Sequence, residues 1–486
     1  MPRFHHALCI NPYLEESSGA MGFFPPTGLE YIATALRTSV PRVTIADLRH
    51  DFAFRPEARL HEFIRREGID LLAVSVNWEF KFDEALGLVS RLPPGVFTIV
   101  GGQEATARVE EVLGRCPDVD CVARGDGEEI AMELASGMPL EDIRGLSHRR
   151  NRSIVHNENR AVGSLDVVPV RDRSLRRVRY GIRRYGVTFI HGLFDTVLTS
   201  RGCPYSCRFC SFNRNPLGKK RDYEELSPES VFQEVKSLEA DLVFFVDDNM
   251  FVNPARAERL CDLLIQGGVK KRFLTQARVD IARYPRLLDK LEAAGFKVLL
   301  LGVESAQDRI LKALNKGFTT AQLRTYFEEL RKHDILYHGY FIIGNIGETE
   351  KDMLAIPPFA EELGLDSISY LKLRALRFTA IKDIVQETPG YHTNARGFVY
   401  SDQCSLDDLR RIGLKIRRAF YTPKRILHVV RKAVRIGFAS KRDLAALPIR
   451  ALCATLNRKS QKKMKAKAGV RASQASGAGI KVKRGH

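Results

Sequence analysis

Short apolar runs alternate with segments whose apolar residues recur every three or four positions, from the start of the chain to about residue 390. HHALCINP is an apolar run that ends in a turn. After a Gly/Ser loop, TGLEYIATALR has helical spacing. VTIADL predicts a second strand, LHEFIRR a helix, and DLLAVSVNW a strand of the near-continuous apolar kind found in buried parallel sheets. FDEALGLVSRL returns as a helix, FTIVGGQEAT as a strand with a Gly-Gly turn, and VDCVARGDGEEIAMELA closes the set. Five strands with intervening helices predict a doubly wound, Rossmann-like α/β domain over 1–140, with its ligand beyond the carboxyl ends of the strands. Residues 141–195 are polar and weakly patterned, and read as a linker with a small hairpin.

From Thr196 the alternation resumes through TVLTSRGC, LVFFVDDNMF, KRFLTQARVD, KVLLLGVES, LYHGYFIIGNIGE and SISYLKLRAL, with helical segments between them. Six such repeats predict a partial (β/α)6 barrel over 196–390, again with function at the C-terminal strand ends. Residues 391–456 read as a C-terminal helical extension. Within it, AFYTPKRILHVVRKAVRIGF places apolar residues at helical spacing with Lys and Arg between them. Such a helix either packs on the barrel with a solvated basic face or lies on an anionic membrane surface.

Composition narrows this picture. The 486 residues are 44% hydrophobic and 28% charged, as in a soluble globular protein of two or more domains. No apolar run reaches 18 residues, and the start lacks an apolar stretch ending in a small-residue cleavage site, so neither a spanning helix nor secretion is expected. A cytoplasmic protein, with peripheral membrane contact through the basic helix, is the expectation. The net charge of +19 is concentrated at one end: 22 Lys and Arg face one acid, Asp443, between Arg411 and His486, which leaves the first 410 residues at −2. Residues 457–486 have the composition of a disordered basic tail. The tail lacks the interleaved aromatics that stack on bases, so specific nucleic-acid binding is not expected.

Nine cysteines make no disulfide framework, and only Cys203, Cys207 and Cys210 cluster. They occupy one loop, CPYSCRFC, directly after a predicted strand. Three thiolates there can bind three irons of a [4Fe-4S] cube and leave the fourth iron open to a chelating ligand. A structural zinc site instead shows paired C-x2-C knuckles or nearby histidines, and the nearest histidine, His191, lies upstream of the strand.

In these motifs the chain resembles the radical S-adenosylmethionine (SAM) superfamily, specifically the subfamily with an N-terminal cobalamin-binding domain. FFVDDNMF, TQARVD, LLGVES followed by DRILKALNKGFT, and GYFIIGNIGET follow the cysteine loop in the family's order. The resemblance implies that Phe209 and the Gly344 strand contact adenine. It implies that Arg278 and Glu304 hold the carboxylate, amine or ribose of SAM, and Asp247 or Asp248 the amine side. PPTGLEYIA, SVNW, VGGQEAT and ARGDGEE match the turns of the cobalamin domain, which puts Ser75, Gly101, Gly102, Gly125, Gly127 and Glu128 beside that cofactor. Two departures stand out. Asp47-Leu-Arg-His50 has the wrong spacing and place for a cobalt-ligating histidine loop, and Gln103-Glu104 follows Gly-Gly where relatives often carry histidine.

The resemblance implies an iron–sulfur cluster, SAM and cobalamin, an electron donor such as flavodoxin or ferredoxin, and a small-molecule or lipid substrate. It implies a 5′-deoxyadenosyl radical that abstracts hydrogen from an unactivated carbon, followed by methyl transfer from cobalamin: a radical SAM C-methyltransferase. A radical cyclase like the anaerobic ring-forming enzyme of chlorophyll synthesis has the same two domains and transfers no methyl. A methylthiotransferase acting on RNA would need a second cluster, for which Cys9, Cys116 and Cys121 are the only candidates.

Overall fold

The protein is described by a computed structural model covering residues 3–446, apart from 15–23, 55–56, 152, 163–164, 166–169, 185–186 and 189. The basic tail and Cys453 lie outside the described residues. The N-terminal sheet has seven strands: β1 (His6–Asn11), β2 (Arg42–Asp47), β3 (Leu71–Ser75), β4 (Phe97–Gly101), β5 (Cys121–Ala123), β6 (Leu146–Arg150) and β7 (Ser153–His156). Their order is β2-β1-β3-β4-β5-β6-β7. The first five are parallel, and β6 and β7 add on antiparallel. The hairpin in the segment expected to be a linker therefore extends the first sheet. Leu146, Ser147 and His148 are buried on it, although a sequence such as SHRRNRS carries no apolar signal.

Both faces of this sheet are covered. Leu8 and Ile10 pack with Leu72 and Val74 on one side; Ala7 and Cys9 pack with Leu71 and Ala73 on the other. This two-sided burial explains the unbroken apolar strands. Helices α1 (Thr27–Arg37) and α2 (Glu128–Ser136) lie together on the second face, contributing Leu29, Ala33, Ile130 and Leu134. Strand order reverses at β1, and the crevice of such a sheet opens beyond the C-terminal ends of β1 and β3.

The second sheet comprises β8 (Phe194–Val197), β9 (Leu242–Phe245), β10 (Arg272–Arg278), β11 (Phe296–Glu304), β12 (Leu336–Ile343) and β13 (Ser367–Lys372). The strands pair in that order, all parallel, as an open six-stranded barrel. Val243, Phe245, Phe273, Leu299, Leu301, Tyr337 and Phe341 face the surrounding helices. The C-terminal region opens with a hairpin, Tyr391–Thr393 against Val399–Ser401, rather than a helix. Then α3 (Leu406–Phe420) buries Leu409, Ile412, Ile416 and Phe420 in the barrel core. Helix α4 (Pro423–Arg435) crosses the barrel's N-terminal end, where Val429, Ala433, Ile436 and Phe438 pack against Val298 and Leu336. No helix among the described residues is long and apolar enough to cross a membrane.

A buried ionic set joins the two sheets. Arg171 is fully buried and pairs with Glu30 of α1 (2.9 Å) and Glu234 of the barrel (3.3 Å). Arg176 bridges Glu30 (2.7 Å) and Asp195 (2.8 Å), and Arg173 bridges Asp195 (2.9 Å) and Glu234 (2.7 Å). Three guanidinium groups face three carboxylates, so the set is neutral, as burial requires.

Candidate active site at the domain junction

The cysteine loop leaves the top of β8 and is pinned by the turn after residue 312. Arg208 N–H donates to Leu314 O (3.0 Å), Arg208 Nη1 to Ala313 O (3.1 Å) and Asn315 Nδ2 to Ser206 O (2.9 Å). Cys203, Cys207 and Cys210 are half-buried and none is in a disulfide. Burial pushes the Cys203 thiol up and the Cys210 thiol to about 12. A thiolate in such a place needs a cationic partner, which iron supplies. Arg278 Nη1 lies 3.8 Å from Cys207 Sγ, a second source of positive charge. Among the described residues no three Cys, His, Asp or Glu side chains converge on the position of one metal ion. A cube does not ask for that, because each thiolate binds a different iron. The three cysteines thus fit a cluster.

The candidate SAM-side residues divide by geometry. Asp247 and Asp248 are neighbours at the end of β9 but point apart. Asp247 Oδ1 accepts from Thr199 N–H (2.9 Å), Thr199 Oγ1 (2.8 Å) and Ser200 Oγ (2.6 Å), so it braces the strand before the cysteines. Asp248 borders the junction cavity and accepts from Gly202 N–H (2.9 Å); its burial raises its pKa to about 6. Arg278 lies over the Tyr205 ring (3.7 Å) and donates to Lys316 O (2.8 Å). Glu304 sits in the left-handed region at φ 69°, a strained conformation that functional sites often retain. Its carboxylate pairs with Lys316 Nζ at 2.8 Å, both groups buried. Phe209 packs with Ile310, Leu314 and Ile342 beside the end of β12, where Gly344 begins the turn. In that turn Glu348 Oε2 accepts from Asn345 N–H and Nδ2 (3.0 Å each), while Glu348 Oε1 and Asn345 Oδ1 are buried without a protein partner. Two orphaned polar atoms fit a hydrogen-bonding ligand at that place. Sequence reasoning missed Tyr205, Lys316 and this Asn345–Glu348 pair.

A cavity of about 430 Å³ runs from the N-terminal sheet to the cysteine loop. Its inner wall is made by Leu29, Ile32, Val74, Ile99 and Leu134, between the sheet and helices α1 and α2. Ser75, Gly101, Gly102, Gly125, Gly127 and Glu128, all singled out in the sequence, line it. Close packing of backbone shapes the rim. A side chain at Gly102 would meet Asn77 Oδ1 and Val76 O at 2.6 Å, and its φ of +107° favours glycine. The outer wall is Ser211, Phe212 and Arg214, directly after the cysteines, together with Asp248. Arg201 is paired with Glu128, and Arg221 with Asp126 at 2.5 Å, so the glycine-rich turn is tied to both flanks of the cysteine loop. A long, mostly apolar cleft with a glycine rim fits a large flat cofactor with a tail.

Other candidates are accounted for by packing. Asp47 pairs with Arg49 (2.7 Å) and accepts from Tyr180 OH (3.0 Å), which makes the Asp47–His50 stretch part of the domain core. Cys116 packs on one face of the N-terminal sheet and Cys9 and Cys121 on the other, so the three do not share a cluster site.

The B12 binding domain family matches residues 20–135, and the radical SAM superfamily matches residues 197–356. An uncharacterized methyltransferase of Pyrococcus horikoshii is 28% identical over 70% of this chain and 74% of its own length. The anaerobic magnesium-protoporphyrin IX monomethyl ester cyclase of Cereibacter sphaeroides is 26% identical over 68% of this chain, which spans about half of the cyclase, 55%. The solved radical SAM methyltransferase TsrM of Kitasatospora setae, with cobalamin and a [4Fe-4S] cluster bound, shares the fold at a TM-score of 0.64, with 20% identity over 80% of this chain and 81% of TsrM. The cysteine loop on the barrel and the glycine-rimmed cavity on the sheet fall inside the two matched segments. The chain belongs to the radical SAM superfamily, among the members that carry a B12-binding domain ahead of the barrel.

Proposed function

We propose that the protein is a cobalamin-dependent radical SAM C-methyltransferase acting on a small molecule. The observation that carries this reading is a cavity that joins the B12-binding sheet to the residues directly after the cysteines. When bound, the reduced cluster and SAM supply a carbon-centred radical, and cobalamin supplies a methyl group. In this reading Cys203, Cys207 and Cys210 hold three irons. Asp248, rather than the braced Asp247, takes the amine side of SAM. Arg278 and Glu304 hold its carboxylate and ribose, and Phe209 with the Gly344 turn flanks adenine. Ser75, Gly101, Gly102, Gly125, Gly127 and Glu128 would receive cobalamin, with Asn77 and Gln103 on the same cavity wall.

The cobalamin unit in this reading runs beyond residue 140 to the end of the hairpin at 156, and the barrel unit begins near 194. An electron donor such as flavodoxin or ferredoxin completes the reaction. A peripheral contact with anionic membrane belongs to the same proposal, because Ile426 and Leu427 of α4 are about half exposed, at 50% and 48%, beside Lys424 and Arg431. Sedimentation with anionic vesicles, and none with neutral ones, is the expected result.

Likeness to the cyclase keeps a second reaction in view, with the same residues and no methyl transfer. The discriminating experiment is anaerobic turnover with extract from cells lacking the gene. S-adenosylhomocysteine together with 5′-deoxyadenosine, and a product heavier by one methyl, supports the methyltransferase. 5′-Deoxyadenosine alone supports the cyclase-type reaction.

A further inference from the structure

The barrel lumen has a layered interior that the cofactors do not explain. Strand register places Leu274, Val298 and Leu336 side by side on the inward face at the bottom, where Ile436 and Phe438 close the floor. The next inward level is Gln276, Leu300, His338 and Ser367, and the level above is Arg278, Gly302, Tyr340 and Ser369. Barrel interiors are normally filled by side chains. On the β8–β9 side Phe24, Tyr180 and Phe244 pack with Leu274 and Leu300, whereas Gln276, His338, Tyr340, Ser367 and Ser369 are only half-buried although they face inward, so their side of the lumen is not filled by packing. Gly302 makes room at the top for the Glu304–Lys316 pair: a side chain there would lie 2.5 Å from Glu304 Oε1 and 2.7 Å from Lys316 Nζ.

The chemistry of this space is polar and uncharged. His338 Nδ1 is 2.8 Å from Ser367 Oγ, and Nε2 is 2.7 Å from Ser369 Oγ. Burial lowers the His338 pKa to about 4, so the ring is neutral near pH 7. A neutral imidazole donates from one nitrogen and accepts at the other. The serine that accepts from the ring therefore keeps its own O–H to donate, and the serine that donates keeps its lone pairs to accept. The Tyr340 ring meets the His338 ring edge to face at 4.9 Å. Among the described residues the Tyr340 hydroxyl and the Gln276 side-chain amide have no hydrogen-bond partner. The charges bordering the space are engaged: Arg278 with Asp280 and, in the reading above, with the SAM carboxylate, and Glu304 with Lys316.

We propose that this lumen is the substrate compartment, and that Gln276, Tyr340 and the Ser367–His338–Ser369 set select an uncharged, largely apolar molecule bearing a hydroxyl or carboxamide group. This rests on the reading of the cysteine loop as the radical-generating site. A hydroxyl or carboxamide both donates and accepts, matching what the two serines leave free. A carboxylate would arrive without a donor of its own or an unpaired cation to meet it, and an ammonium without an acceptor of its own; either would lose its hydration uncompensated. Leu274, Leu300 and the floor take the apolar part.

The test uses the full chain, reconstituted anaerobically with iron, sulfide, cobalamin and SAM. Its probes are four eight-carbon compounds: octanamide, octan-1-ol, octanoate and octylammonium. Dissociation constants from ligand-observed NMR are expected to be at least about tenfold lower for the amide and alcohol than for the two ions. Tyr340→Phe, which removes only one hydroxyl, and Gln276→Leu are each expected to weaken octanamide binding about threefold to tenfold with iron content retained. Octanoate binding as tightly as octanamide, no probe binding up to its solubility limit, or both variants binding octanamide like the wild type would overturn the inference. If the reconstituted chain holds no cluster, the proposed function fails instead. If cluster and SAM bind and the probes are not ranked, only this inference fails.

Discussion

Glu348 is the residue whose charge state the fold perturbs most usefully for a test. Burial raises its pKa from 4.5 to about 7, against the lowering effect of hydrogen bonds from Asn345 and Gly344, and Asp352 adds to the rise. The folded state thus disfavours the carboxylate, and stability falls as pH rises from about 4.5 to about 7, then levels off. Glu348→Gln should leave the melting temperature of the apo chain unchanged near pH 4, raise it at pH 8, and flatten the slope between. A variant that melts like the wild type at pH 8 contradicts the assignment. Gly102→Ala should cost about 1–3 kcal/mol by denaturation, because the new methyl group meets Asn77 and Val76 and the positive φ is strained. It should also weaken cobalamin binding measured by equilibrium dialysis. At this scale the three cysteines were legible because their spacing is short-range chemistry. Asp247 and Asp248 were not separable, because Thr199, Ser200 and Gly202 from the neighbouring strand decide which carboxylate turns to the cavity. Lys316 was hidden for the same reason, since its partner Glu304 is twelve positions away on another element.

Among the elements, the segment carrying Arg171, Arg173 and Arg176 looked like solvated linker in the sequence. Its partners Glu30, Asp195 and Glu234 lie on α1, β8 and a barrel helix, so no local pattern marks the set as buried. Arg171→Met removes one cation and leaves Glu30 and Glu234 short of charge in a dry interface. The expected cost is about 3 kcal/mol or more in chemical denaturation, with earlier proteolytic cleavage between the two sheets. An unchanged midpoint would show that the remaining two arginines suffice. Helix α4 was legible as amphipathic, while its partner was not. The structure places Val429, Ala433, Ile436 and Phe438 under the barrel, which gives the apolar face a packing role. Ile436→Ala should cost about 2–4 kcal/mol through lost burial and a cavity in the floor.

For the whole molecule, the alternation of strand and helix was sufficient to read two parallel α/β units in order, because two-sided burial writes itself as unbroken apolar strands such as LLAVS and LVFF. The antiparallel hairpin β6–β7 and the Tyr391–Ser401 hairpin were beyond that signal, being short and polar. Nor does either unit alone show the cavity between them, which is made by Leu29 and Gly102 from one and Phe212 and Asp248 from the other. That shared cavity is the basis for assigning a two-cofactor reaction. Its most direct test is iron and cobalt content per chain after anaerobic reconstitution, for the wild type and for a Cys203→Ala, Cys207→Ala, Cys210→Ala variant. The account predicts about four irons and one cobalt in the wild type, and loss of the iron with the cobalt retained in the variant. Iron retained in the variant, or a wild type that takes up zinc and no cobalt, would contradict it.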